Sequence, residues 1–165
     1  MAKDWTLAVD NPRNSRLLRH LAGLSWRPLS TTFTPPDESH VDPYRELGCH
    51  PGAVRRVWDD FGSRLPVDCR CLIYGLPSLA TPFSGLILAV AWGTNYVMQV
   101  PPEVPKVLAS TQSDLMSYLI SKFALDPSKE FGDTWILGMG LKDEPQWCRV
   151  VFDEDEQTCS HKLST

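Results

Sequence analysis

The sequence predicts an α+β fold in which helices pack on a small antiparallel sheet of three to five strands. Three observations lead to this prediction. One segment has an apolar stripe at helical spacing, a later apolar run has the length of a buried strand, and a glycine-containing two-residue turn follows that run. The predicted order of elements is ααβββααβα, and helices that are grouped rather than alternating with strands are typical of the α+β class.

The first two elements are helices. Asn11-Pro12 fits an N-cap followed by proline at the first helical position, and the leucines that follow share one face, which predicts a helix over about 12–22. An amphipathic stripe predicts a second helix over about 52–64. Its apolar residues are Val54, Val57, Trp58, Phe61 and Leu65. Residues 27–50 are rich in proline and have no period, so we expect an irregular connection there.

A β-hairpin is predicted in the middle of the chain. Residues 86–92 form an unbroken apolar run, which is typical of a central strand that is covered on both faces. The Gly-Thr pair at 93–94 has the composition of a type II′ turn, and residues 95–100 return as the antiparallel partner. A shorter strand is predicted at 69–74, and residues 75–85 are interpreted as a turn-rich loop. We expect the apolar side of the second helix to pack on the strand at 86–92.

The C-terminal third is predicted to contain helices around one further strand. A short helix follows the proline pair at 101–102, and helical spacing predicts another over 114–124. Residues 135–139 are interpreted as a strand and residues 144–152 as a last helix. Residues 157–165 are expected to form a loose tail.

Length and composition favour one globular domain over residues 1–165. The hydrophobic fraction is 42%, the charged fraction is 22% and the net charge is −4. General nucleic-acid binders usually carry an excess of basic residues, so we expect no nucleic-acid partner. No apolar run reaches the roughly 18–20 residues that span a bilayer, and the start of the chain lacks the order of a secretory signal. We therefore expect a cytoplasmic protein with no membrane partner and with reduced cysteines.

The cysteines suggest a metal site only weakly. Cys69 and Cys71 are two residues apart, and would share one face of a strand. Tetrahedral zinc sites usually combine two closely spaced pairs of ligands, whereas the other cysteines and histidines are distant in this sequence. We therefore interpret both residues as small core side chains and expect no metal and no other cofactor.

An enzyme is one alternative that the sequence leaves open. Cys49 lies next to His50 at the start of the second helix, where a helix N-terminus can lower the pKa of a thiol. An acidic pair such as Asp59 and Asp60 could act instead, although nothing fixes its geometry. The G-x-G tripeptide at 138–140 lacks the third glycine of a dinucleotide site. No complete catalytic motif is present, so whether the chain is an enzyme stays uncertain, with the balance against it.

The acidic run near the C-terminus is the predicted partner-binding surface. If the last helix ends near residue 152, the acids at 153–156 oppose its dipole and have no role in folding. Trp147 could lie at the edge of these acids as an aromatic anchor, although its helical spacing with Val151 favours burial in the core. The predicted partner-binding residues are Asp143, Glu144, Trp147, Asp153, Glu154, Asp155 and Glu156.

These observations predict a non-enzymatic protein-binding protein. Its narrowest form is an immunity or inhibitor-type protein of a bacterial toxin–antitoxin pair, which would occlude a toxin or effector enzyme through a basic surface of that partner. An adaptor or chaperone-like interaction protein is the alternative within the same class.

Overall fold

The computed structural model describes residues 8, 10–24 and 49–163. It confirms the α+β class, because a five-stranded antiparallel sheet carries helices packed on it. The irregular connection predicted for residues 27–50 lies outside the described residues, apart from Cys49 and His50.

The sheet is a meander in which each strand pairs with the next along the chain, in the order β1-β2-β3-β4-β5. All four pairings are antiparallel. The strands are β1 (Arg70–Ile73), β2 (Leu76–Ala80), β3 (Ile87–Trp92), β4 (Asn95–Gln99) and β5 (Trp135–Leu137).

Six α-helices lie in the described part of the chain. They are α1 (Pro12–Leu24), α2 (Pro51–Arg55), α3 (Val104–Thr111), α4 (Ser113–Phe123), α5 (Pro127–Glu130) and α6 (Glu144–Leu163). α2 continues directly into a π-helix at Arg56–Phe61 and a 3₁₀ turn at Gly62–Arg64, so the predicted second helix is present with three different hydrogen-bond patterns. A further 3₁₀ turn at Val67–Cys69 leads into β1. Relative to the predicted order, the structure adds β2 and the one-turn helix α5.

The prediction of a loop over residues 75–85 is wrong, because this segment contains β2. Pro77 favoured a loop over a strand, because proline has no N–H to donate to a ladder. In the structure Pro77 pairs only with Leu72 of β1, and the ladder with β3 begins one residue later at Ser78. The turn before β2 is a two-residue hairpin loop in which Tyr74 and Gly75 both have positive φ, as a type I′ turn requires.

The predicted hairpin at the centre of the sheet is confirmed. Trp92 pairs with Asn95 across a two-residue loop. Gly93 has a φ of +62°, whereas Thr94 is not among the residues of positive φ, and this combination matches a type II′ turn rather than type I′.

The sheet is covered on both faces, as the apolar run of β3 predicted. On one face, α2, the π-helix, α3 and α6 pack against side chains that include Leu88 and Ala91 of β3. On the other face, α1 packs with Phe131 against Ile87 and Val90. The predicted stripe of the second helix is confirmed on the first face, where its three central residues have no more than 1% of their surface exposed. These residues are Val57, Trp58 and Phe61.

The last helix is longer than predicted. The expectation that it ends near residue 152 is wrong, because α6 runs from Glu144 to Leu163 and includes residues 157–163 of the expected loose tail. Glutamate is a good helix former, and Arg149 pairs with Asp153 one turn later at 3.0 Å. The acidic run is therefore in the middle of the helix, where the argument from the helix dipole does not apply.

Candidate functional site

The acidic run contains one acid that the fold uses, Asp155, and three acids on the outside of α6. The Asp155 carboxylate accepts hydrogen bonds from the hydroxyl of Thr81 at 2.5 Å, the hydroxyl of Ser84 at 2.6 Å and the backbone N–H of Ser84 at 3.4 Å. These contacts attach the loop between β2 and β3 to α6. Asp155 is half-buried and therefore has a structural role, whereas its direct contact with a partner stays a prediction.

The same loop presents an exposed aromatic side chain beside the acids. The Phe83 ring packs on Phe152 of α6, with ring centroids 5.3 Å apart, yet 39% of Phe83 remains exposed. Glu156 lies one helical turn after Phe152 and so on the same side of α6. Phe83 and the exposed Glu156 are therefore both neighbours of Phe152, and the hydrogen bonds of Asp155 hold the Phe83 loop in place.

Three acids of the predicted patch remain on the outer surface of α6. Glu154 and Glu156 are exposed, and the partly exposed Asp153 pairs with Arg149. Glu154 follows Phe152 by two residues and so points away from Phe83, whereas Glu156 is on the Phe83 side of the helix. We call Phe83 and Glu156 the Phe83 surface, with Asp153 and Glu154 as its flanking acids. Asp143 is also exposed, but it precedes α6 and lies ten residues from Asp153, or about 15 Å along a helix, so it is not part of this surface.

Glu144 is the clearest error among the predicted partner-binding residues. Its side chain has no exposed surface and accepts hydrogen bonds from the Arg56 guanidinium at 3.0 Å, from the Tyr96 hydroxyl and from the backbone N–H of Met139 at 2.8 Å. A side chain enclosed in this way cannot contact a partner. Its partners come from the π-helix, from β4 and from the loop before α6, which the local sequence does not reveal.

The electrostatics of this buried cluster follow from its contacts. Burial lowers the pKa of Arg56, but the hydrogen bonds to Tyr96 and Glu144 outweigh burial, so its pKa lies above the usual value. Burial and the adjacent carboxylate raise the pKa of Tyr96. Arg56 also donates to the Leu141 carbonyl at 2.6 Å and pairs with Asp60 at 3.2 Å. The cluster is satisfied internally and connects three elements of the fold.

Trp147 packs towards the core, as its helical spacing with Val151 indicated, and is not an exposed anchor. It is partly buried and packs against the core on the α6 side of the sheet. Phe83 takes the place of an exposed aromatic residue near the acids. A signal for Phe83 was present in the sequence, since it stands alone among turn-forming residues in the segment Thr-Pro-Phe-Ser-Gly.

The cysteine–histidine alternative loses its chemical basis. Cys49 is buried, its thiol donates to the Ala91 carbonyl at 3.5 Å, and burial raises its pKa instead of lowering it. His50 caps α2 by accepting a hydrogen bond from Gly52 N–H at 3.0 Å. The pair therefore lacks the lowered pKa that the enzyme alternative required.

Cys69 and Cys71 lie in the core, as interpreted from the sequence, although not on one face of a strand. Cys69 belongs to the 3₁₀ turn before β1 and packs on the α6 side, whereas Cys71 points to the α1 side. The alternation of a strand does not extend to Cys69, which corrects the expectation of a shared face. Burial raises the pKa of Cys71 and of Cys148. The described residues contain no group of three or more His, Cys, Asp and Glu side chains placed to hold a metal ion.

Both glycines of the G-x-G tripeptide have a structural explanation. A Cβ on Gly138 would lie 2.2 Å from the Tyr96 ring, and Gly140 has a φ of +72°. Gly140 N–H donates to the Tyr96 hydroxyl at 3.2 Å. The tripeptide thus packs against a buried tyrosine. The contact with Tyr96 requires glycine at position 138, and the positive φ favours glycine at position 140.

A cavity that the sequence did not indicate lies on the opposite face of the sheet. It has a volume of about 480 Å³ and lies between α1, the β3–β4 hairpin and the C-terminal end of α4. His20 and Trp92 form part of its wall, with ring centroids 5.2 Å apart. These residues are 72 positions apart in the chain, so no local pattern could have joined them.

No helix in the part of the chain that the structure describes has both the length and the apolar character needed to cross a bilayer. Comparison of the chain with protein-family models, with curated proteins and with solved structures found no match.

Proposed function

We propose that this chain is a non-enzymatic protein-binding protein whose Phe83 surface meets a basic surface of its partner. One observation carries the proposal: the exposed Phe83 is held by Asp155 against the turn of α6 that carries the exposed Glu156. Protein interfaces commonly combine an aromatic anchor with a polar, charged rim.

The support comes from how the surface is held in place. Because Asp155 binds Thr81 and Ser84, the loop that carries Phe83 is attached to α6 before any partner arrives. Ordering a loop during association costs affinity, and a loop that is already held avoids part of that cost. The outer acids Glu154 and Glu156 would attract a basic partner at long range and raise the association rate.

The narrowest form of the proposal is an immunity or inhibitor-type protein that occludes a toxin or effector enzyme. An acidic, pre-organised surface suits a partner that is basic around its active site, as enzymes that act on nucleic acids often are. An adaptor or chaperone-like role uses the same surface without inhibiting the partner, and a cytoplasmic location is proposed for either role.

The test begins with affinity capture from cells of the source organism, followed by mass spectrometry and purification of the captured partner. Phe83→Ala should raise the Kd at least tenfold, because removing an interface aromatic anchor commonly costs about 2 kcal/mol or more. Glu154→Gln with Glu156→Gln should slow association several-fold at low salt and flatten its salt dependence. Rates are measured by stopped-flow at two ionic strengths.

Tyr118→Ala is the matched control, since Tyr118 is an aromatic residue on α4 that is 59% exposed. It should leave both the Kd and the association rate unchanged. Equal effects of Phe83→Ala and Tyr118→Ala would contradict the proposed surface. Loss of the partner's catalytic activity at one-to-one stoichiometry supports the inhibitor, whereas an active complex supports the adaptor.

A further inference from the structure

We propose that the cavity beside His20 and Trp92 is a binding site for a small, uncharged, planar aromatic molecule. This site is separate from the Phe83 surface, because it opens on the α1 side of the sheet whereas α6 covers the other face. The two proposals can therefore be tested independently of each other.

The size of the cavity fits a small organic ligand. Pockets that bind such ligands usually enclose about 300–1,000 Å³. The cavity of about 480 Å³ falls within this range, and a second cavity under α3 and α4 is smaller. The other, of about 210 Å³, is closer to the size of a single ring.

Ring-shaped side chains line the cavity and favour a flat occupant. His20 is contributed by α1, Trp92 by the end of β3 and Phe123 by the end of α4. His20 also packs edge-on against Phe131, with ring centroids 5.3 Å apart, which fixes the orientation of the imidazole. Aromatic groups stack on such rings in offset or edge-to-face geometry, and this adds attraction beyond the burial of apolar area.

The charge of the lining selects an uncharged molecule. None of the described residues that line the cavity is Asp, Glu, Lys or Arg. An ionic group buried there would meet no Asp, Glu, Lys or Arg side chain, and burying an unpaired charge is costly. Nucleotides and other phosphorylated compounds are therefore disfavoured.

One polar side chain can orient the ligand. Asn95 lines the cavity, and its Nδ2 is buried without a hydrogen-bond partner. Because χ2 of asparagine is broad, the carboxamide can turn to donate to an acceptor, or to accept from an N–H, on a molecule in the cavity. A bound molecule with one polar group would thus satisfy a donor that the protein leaves unmet.

Two fluorescent probes that differ by one charged group test the site. N-phenyl-1-naphthylamine is uncharged, and 8-anilinonaphthalene-1-sulfonate has the same rings with a sulfonate. The neutral probe should bind at one site with a Kd of roughly 10–200 μM, the affinity expected for a molecule of about 17 non-hydrogen atoms. The sulfonate should bind at least tenfold more weakly.

Substitutions at the rim locate the binding. Thr94 is an exposed turn residue that lines the cavity. Thr94→Trp should obstruct the opening without disturbing the core, and should raise the Kd of the neutral probe at least tenfold. Thr94→Ser is its control and should leave the Kd unchanged. His20→Ala should weaken binding several-fold, whereas Arg19→Ala, an exposed neighbour on the same helix, should not.

Phe83→Ala separates this site from the proposed partner surface, because it should leave the affinity for the neutral probe unchanged. Circular dichroism melts confirm that each variant is folded. Absence of saturable binding of the neutral probe, or equal Kd values for the native chain and Thr94→Trp, would overturn the proposal. Equal affinity for the two probes would overturn the assignment of an uncharged ligand.

Discussion

Replacing Glu144 with alanine tests whether this residue is a buried structural carboxylate or a surface acid. The substitution removes the acceptor shared by Arg56, Tyr96 and the Met139 N–H. Removing one member of a buried ion pair typically costs about 3–5 kcal/mol, because the remaining charge is left without its partner. Arg56 keeps its contacts to Asp60 and to a backbone carbonyl, so we expect the lower end, about 3 kcal/mol. This is a large share of the roughly 5–15 kcal/mol that stabilises a typical domain.

The assay is urea denaturation followed by circular dichroism, with the free energy of unfolding extrapolated to water. Asp143→Ala is the matched control, because Asp143 is the preceding acid in the chain and is exposed. It should cost less than about 1 kcal/mol, the usual range for a surface residue near a helix start. A loss below about 1 kcal/mol for Glu144→Ala, or equal losses for the two variants, would refute the burial of Glu144 and its role in the core.

Two further predictions concern the core. Gly138→Ala should lower the free energy of unfolding by about 1–3 kcal/mol, because the new Cβ would lie 2.2 Å from the ring of Tyr96, and an unchanged urea midpoint would contradict this. The stability should also fall as the pH rises above about 9, because Cys71 and Cys148 would ionise near pH 9.0 when unfolded but have raised pKa values when folded. The folded chain then holds protons that the unfolded chain releases, so this contribution is complete below pH 9.0 and is lost at higher pH. Constant stability between pH 8 and pH 10.5 in urea melts would contradict this sign.

Elements with a strong local signal could be predicted from the sequence. The apolar stripe that includes Trp58 and the apolar run of β3 each identify one element, and their packing follows because both are too apolar to face water. The turn at Gly93 could also be predicted, because a type II′ turn requires positive φ at its first central residue, where this chain has glycine.

The elements that were missed depend on contacts distant in sequence. β2 contains Pro77, which is compatible with a strand only because β3 pairs from the next residue onward. The turn before β2 places Tyr74 at positive φ, which is rare for a residue other than glycine. The middle of α6 is attached to the β2–β3 loop through Asp155, a contact between residues 74 positions apart in the chain.

The candidate site was predicted in part. The exposed acids of α6 were identified by their charge alone, but charge does not distinguish Glu154 from Glu144, which only the three-dimensional contacts show to be buried. Similarly, counting aromatic residues cannot distinguish the partly buried Trp147, which belongs to α6 and packs on the core, from the exposed Phe83, which belongs to a loop that packs on Phe152.

Hydrogen–deuterium exchange of the chain with and without its captured partner tests the central claim most directly. The proposed function predicts slower exchange on binding at residues 81–86 and 152–157, the backbone that carries the Phe83 surface, with α4 unchanged as an internal reference. Protection confined to α4, or to any other region that leaves these two segments unaffected, would contradict binding through the Phe83 surface.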